Sequence, residues 1–146
     1  MKLKGLFKDI LILSCVLMFL YSMKNVVVAS AAQGPSYDFS LAFGSSISLR
    51  DVKKQEKTSA DACAMKCTWA EFEGTHYYAY ACNYDGNYSL NVETFYEGTW
   101  KLLNNIIYEN GFREAMITAY VDGTCGVSDE YGACFSGYWY PDSGYY

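Results

Sequence analysis

The 146-residue chain carries 11 Lys and Arg against 16 Asp and Glu, with one His, six Cys and 15 Tyr. Nucleic-acid binding needs lysines and arginines that neutralise phosphates and release counterions, and this acidic balance speaks against it. The length fits one domain with one core, without internal repeats or a Pro- or Ser-rich linker.

The first element is an export signal. Lys2, Lys4 and Lys8 precede an apolar run over residues 10–21, and Val27, Ala29 and Ala31 set small residues before possible cuts. This pattern predicts a cleaved signal peptide over residues 1–31, with the mature chain beginning at Ala32 or alternatively at Ser30. The apolar run holds 12 residues, short of the roughly 20 needed to cross hydrocarbon as a helix, and Lys24 and Asn25 interrupt its extension. No stable membrane span is expected after cleavage, and the expected location is extracellular. Removing Lys2, Lys4, Lys8 and Lys24 together with Asp9 leaves 7 basic and 15 acidic side chains, a net charge of −8 over residues 32–146. Arg50, Lys53, Lys54 and Lys57 form the one basic cluster and read as a solvated loop.

Residues 32–146 are expected to form a single domain. Residues 37–43 alternate cleanly, placing Tyr37, Phe39, Leu41 and Phe43 on one face of a first or edge strand. Residues 44–60 are polar and read as a connection. Residues 63–72 and 77–84 read as two strands of a hairpin closed by Glu73-Gly74-Thr75-His76. If Phe72 pairs with Tyr77, Trp69 faces Tyr80 and Cys67 faces Cys82. Residues 85–87 turn, a further strand begins at Tyr88, and residues 99–111 read as strand despite partly helical spacing. Residues 114–121 alternate, Asp122-Gly123 turns, and residues 135–140 form a last aromatic strand stopped by Pro141. Short strands separated by regular turn signals predict an all-β, small antiparallel two-sheet sandwich.

Five cysteines fall in the mature region: Cys63, Cys67, Cys82, Cys125 and Cys134. In an exported protein they are expected to oxidise, so the sandwich is expected to be disulfide-supported. The hairpin register pairs Cys67 with Cys82, and Cys125 with Cys134 would close a glycine-containing loop. Cys63 is then left over, as a free thiol or as the link of a disulfide-bonded homodimer. Zinc is not expected, because Cys63 and Cys67 lack a second close pair and His76 is the one histidine. Asn83, Asp85 and Asn87 offer oxygen ligands but lack the later glutamate of a calcium loop. Neither metal nor cofactor is expected.

Several stretches together resemble an uncharacterised family of small secreted proteins from Gram-positive bacteria. They are Phe39-Ser40-Leu41, Glu56-Lys57-Thr58-Ser59, residues 107–115, and the terminal Ser136-Gly137-Tyr138-Trp139-Tyr140-Pro141-Asp142-Ser143. The resemblance implies secretion and an all-β domain, and no activity. In layout the chain also resembles lactococcin-type bacteriocins, which are short exported β-sandwich proteins.

No HExxH, nucleophile elbow or phosphate-binding glycine loop occurs, and His76 sits in an expected turn, so no catalytic residues are assigned. The expectation is a non-catalytic interaction module for an envelope glycan or protein. A bacteriocin-like toxin and a glycan-binding module are the alternatives. Because a domain of this size cannot hide all its tyrosines, Tyr78, Tyr80, Tyr138, Trp139 and Tyr140 form the candidate aromatic surface.

Overall fold

The computed structural model describes residues 36–48, 54–128 and 130–145, all within one compact unit, Gln33–Tyr146. The expected export signal, residues 1–31, lies outside the described residues. The described chain forms strands β1 (Ser36–Leu41), β2 (Ser46–Ser48), β3 (Gln55–Glu56), β4 (Cys63–Ala70) and β5 (Tyr77–Cys82). These are followed by β6 (Glu93–Phe95), β7 (Trp100–Leu103), β8 (Glu114–Tyr120), β9 (Ala133–Tyr140) and a 3₁₀ turn, Ser143–Tyr145.

All pairings are antiparallel. One sheet runs β1-β9-β4-β7, and the other runs β2-β8-β5-β6 with β3 also paired to β8. Period-two patterning explains which faces meet. In β1, Tyr37, Phe39 and Leu41 are buried while Ser36, Asp38 and Ser40 are exposed. In β9, Ala133, Phe135, Gly137 and Trp139 face inward and alternate with partly exposed Cys134, Ser136, Tyr138 and Tyr140. The second sheet meets them with Tyr77, Ala79 and Ala81 of β5 and Ala115, Ile117 and Ala119 of β8. Its alanines leave room for the rings of the first sheet, so large side chains on one layer fill the space over small ones on the other. Tyr77 sits among Phe39, Phe95 and Phe135 at centroid distances of 5.3, 5.3 and 4.7 Å. Tyr37 Oη donates to the Lys66 carbonyl at 3.0 Å and lies 2.5 Å from Tyr77 Oη, which bonds the two layers across the core.

The expected hairpin is corrected. β4 and β5 belong to different sheets: β4 pairs with β7 and β9, β5 with β6 and β8. The connection between them crosses the sandwich edge, held by Thr75 N–H donating to Phe72 O and His76 N–H donating to Cys125 O. Cys67 therefore faces Gly137, not Cys82, and Trp69 faces Ser136, not Tyr80. Residues 44–60, expected as plain connection, contain β2 and β3. Residues 88–96 contain the short β6 and an isolated bridge from Ser89 to Asn105; Ser89 Oγ donates to the Asn91 carbonyl, and Asn91 Oδ1 accepts from Asn104 N–H.

Candidate functional site

The outer face of the β1-β9-β4-β7 sheet carries a row of accessible rings on a regular surface. Pairing sets Ser36, Tyr138, Lys66 and Trp100 abreast across all four strands. The next row brings Tyr140, Ala64 and Leu102 together. Register then slips between Cys67 and Trp69, so that Thr68 is an extra residue and Trp69 comes opposite Ser136. This β-bulge has a direct consequence for the face. With unbroken alternation Trp69 would share the inward side of Cys63, Met65 and Cys67; the inserted residue turns it outward, where it is 45% exposed. Thr68 Oγ1 donates to the Ser136 carbonyl at 3.2 Å and fixes the bulge. Trp100 is 42% exposed and Tyr138 and Tyr140 are half-buried. Asp38, opposite Ser136 on β1, and Glu71, whose Oε2 accepts from Cys134 N–H, supply carboxylates to this face, and Lys66 supplies an ammonium.

Structure divides the aromatic residues expected as one surface. Tyr138 and Tyr140 belong to this face. Trp139, between them in sequence, points the other way into the core and is 0% exposed, which corrects its assignment to the surface. Tyr78 and Tyr80 lie on the outer face of the opposite sheet. There Tyr78 packs on Tyr120 at 5.4 Å and edge-on to His76 at 5.7 Å, and His76 packs on Tyr96 at 4.7 Å. Beside them Tyr80, Leu90 and Val92 line an open groove of about 410 Å³. Its amide, Asn91, is already committed, donating to Glu93 Oε1 and the Leu102 carbonyl and accepting from Asn104 N–H.

Among the five described cysteines no two stand at disulfide distance, so the structure does not carry the expected disulfide support. Cys67 and Cys82 lie on different sheets, and the bridge between Ser128 and Gly132 closes the loop assigned to Cys125 and Cys134. Cys63, the expected inter-chain link, is fully enclosed, and burial pushes its thiol up to about 12. Burial likewise raises the thiols of Cys67 and Cys125, which keeps them protonated and poorly nucleophilic. Cys134 alone is partly exposed. In reduced native protein, iodoacetamide is therefore expected to label Cys134 first; peptide mapping that finds Cys63 or Cys67 modified earlier would contradict this packing.

His76 is buried with Nδ1 unpartnered, as are Asn83 Nδ2 and Trp139 Nε1. Among the described residues no group of three His, Cys, Asp or Glu is arranged to hold a metal ion. Asn83 Oδ1 accepts the Asp85 and Asn87 N–H groups at 3.1 and 2.8 Å, which commits that oxygen to the turn rather than to calcium.

Composition gave no warning of a second polar centre. Lys57, expected in a solvated basic loop, is 0% exposed. Its Nζ donates to Asp142 Oδ1 at 3.0 Å, to Asp61 O at 2.5 Å and to Pro141 O at 2.7 Å. Asp142 also accepts from Thr58 N, Thr58 Oγ1, Ser59 N and Ser59 Oγ at 2.8–3.1 Å. The Glu56-Lys57-Thr58-Ser59 segment and the Pro141-Asp142 terminus, widely separated in sequence, are thus the two halves of one clasp.

No family model, no curated protein and no solved structure matches the chain. No helix among the described residues is long and apolar enough to cross a membrane.

Proposed function

We propose that this protein is an exported, non-catalytic interaction module of the cell envelope that engages its partner through the outer face of the β1-β9-β4-β7 sheet. Export rests on the basic, apolar and small-residue pattern of residues 1–31. The observation that carries the binding face is the Thr68 bulge, which turns Trp69 out beside Tyr138 and Trp100. An outward tryptophan forgoes the burial that would otherwise stabilise the fold, at about 25 cal/mol per Å² of apolar surface. Rigid rings also give contact area to a partner at low entropy cost.

The test uses full-length chain expressed in a Gram-positive host. The medium is expected to contain protein starting at Ala32 or Ser30, and that product is expected to sediment with isolated cell walls. The Trp69→Ala/Trp100→Ala double variant is expected to stay in the supernatant while keeping the wild-type melting curve. Retention of the double variant on walls would remove this face from the function, and a product kept inside the cell would remove export.

A further inference from the structure

The chemistry of the partner follows from what surrounds the rings. Two inter-strand spacings separate β9 from β7, so Tyr138 and Trp100 stand about 10 Å apart along their row, the advance of two sugars in a β-1,4-linked chain. Lys66 lies between them, and Asp38 lies one row away beside Ser136 and Trp69. Lys66 and the carboxylates of Asp38 and, at the end of β4, of Glu71 offer donors and acceptors for hydroxyl and acetamido groups. The net charge of residues 32–146 is strongly negative and opposes polyanions. The groove beside Tyr80 is on the opposite sheet.

We propose that the Trp69, Trp100, Tyr138 and Lys66 face binds a neutral β-1,4-linked pyranose chain, with alternate sugar rings stacked on Tyr138 and Trp100 and Lys66 donating to the ring between them. This inference rests on the interaction-module reading and names its ligand class. Asp38 and Ser136 meet the polar edge of the sugar nearest Trp69.

Mature protein from the medium is titrated with chitohexaose, cellohexaose and polygalacturonate, followed by calorimetry and tryptophan emission. Trp69 and Trp100 are expected to shift to the blue with a neutral hexasaccharide, whereas the emission of buried Trp139 is expected to stay unchanged. Trp100→Ala is expected to weaken binding at least about tenfold and Lys66→Ala severalfold, while Tyr80→Ala on the opposite sheet leaves it unchanged. Tighter binding to polygalacturonate than to either neutral chain would overturn the inference, as would equal losses from Tyr80→Ala. Wall retention without binding to any of the three sugars would overturn the glycan assignment and leave the interaction module standing; loss of wall retention would take both. Sedimentation covers the remaining occupant: a dimer dissolved by Trp100→Ala without sugar binding would assign the face to a second copy of the chain.

Discussion

Replacing Gly137 with alanine is expected to lower stability by about 3 kcal/mol or more, at the upper end of what overpacking a core costs. A Cβ built on Gly137 would stand 1.9 Å from the Lys66 carbonyl oxygen and 2.6 Å from Tyr37 Oη. The first is backbone and cannot swing aside. Nor can β9 retreat, because it is paired on one side with β1 and on the other with β4. The methyl would have to push Lys66 out of the sheet or break the Tyr37 bonds to Lys66 and Tyr77 that join the two layers. Urea unfolding checks the size of the effect, with Ser136→Ala on the solvent side of the same strand expected to change stability by no more than about 0.5 kcal/mol. A Gly137→Ala protein within about 1 kcal/mol of wild type would mean that this close approach is not rigid. Because Gly137 faces Cys67 just before the bulge, the same substitution is expected to displace Trp69 and weaken the binding face along with the fold.

Much of the architecture could be read from alternation. Tyr37, Phe39 and Leu41 are inward as their spacing requires, whereas Phe43, expected with them, lies past β1 and is exposed; residues 114–120 and 135–140 lie in strands, and the class is all-β with two antiparallel sheets. Alternation says which side of a strand is buried but not which strand lies beside it, and the misassigned hairpin follows from that limit. Glu73-Gly74-Thr75-His76 has the length of a hairpin loop, yet β4 finds its partners at β9 and β7, far away in sequence. Trp69 shows a second limit: one extra residue reverses parity, and nothing in the run from Cys63 to Ala70 marks Thr68 as that residue. The Cys67–Cys82 pairing failed for the first reason, since it inherited the hairpin register. As for the face itself, Tyr138 and Tyr140 are legible as aromatics of an alternating strand, whereas the same parity sends Trp139 between them inward. Trp100 joins the face only through the non-local pairing of β7 with β4, which no local pattern carries.

Removing the Asp142 carboxylate is expected to cost about 3–5 kcal/mol, because it strands a buried ammonium. Lys57 and Asp142 are 0% and 2% exposed, and after Asp142→Ala the Lys57 Nζ keeps only the Asp61 and Pro141 carbonyls. The backbone N–H groups of Thr58 and Ser59 lose their acceptor at the same time. An apolar pair, Lys57→Met with Asp142→Leu, removes both charges together and is expected to be less destabilised than Asp142→Ala alone. Acid acts on the same clasp. Burial by itself would raise the Asp142 carboxyl, but hydrogen bonds from Thr58 N–H, Lys57, Thr58 Oγ1 and Ser59 outweigh it and bring the group from 3.8 down to about 2. A carboxyl held lower in the folded than in the unfolded chain contributes stability that is complete above 3.8 and is lost as pH falls from there toward 2. Wild-type denaturant midpoints are therefore expected to drop across that interval, and those of Asp142→Asn to drop less steeply because the titrating group is gone. Parallel acid curves for the two proteins would place the acid sensitivity in other carboxylates and leave the clasp without a part in it.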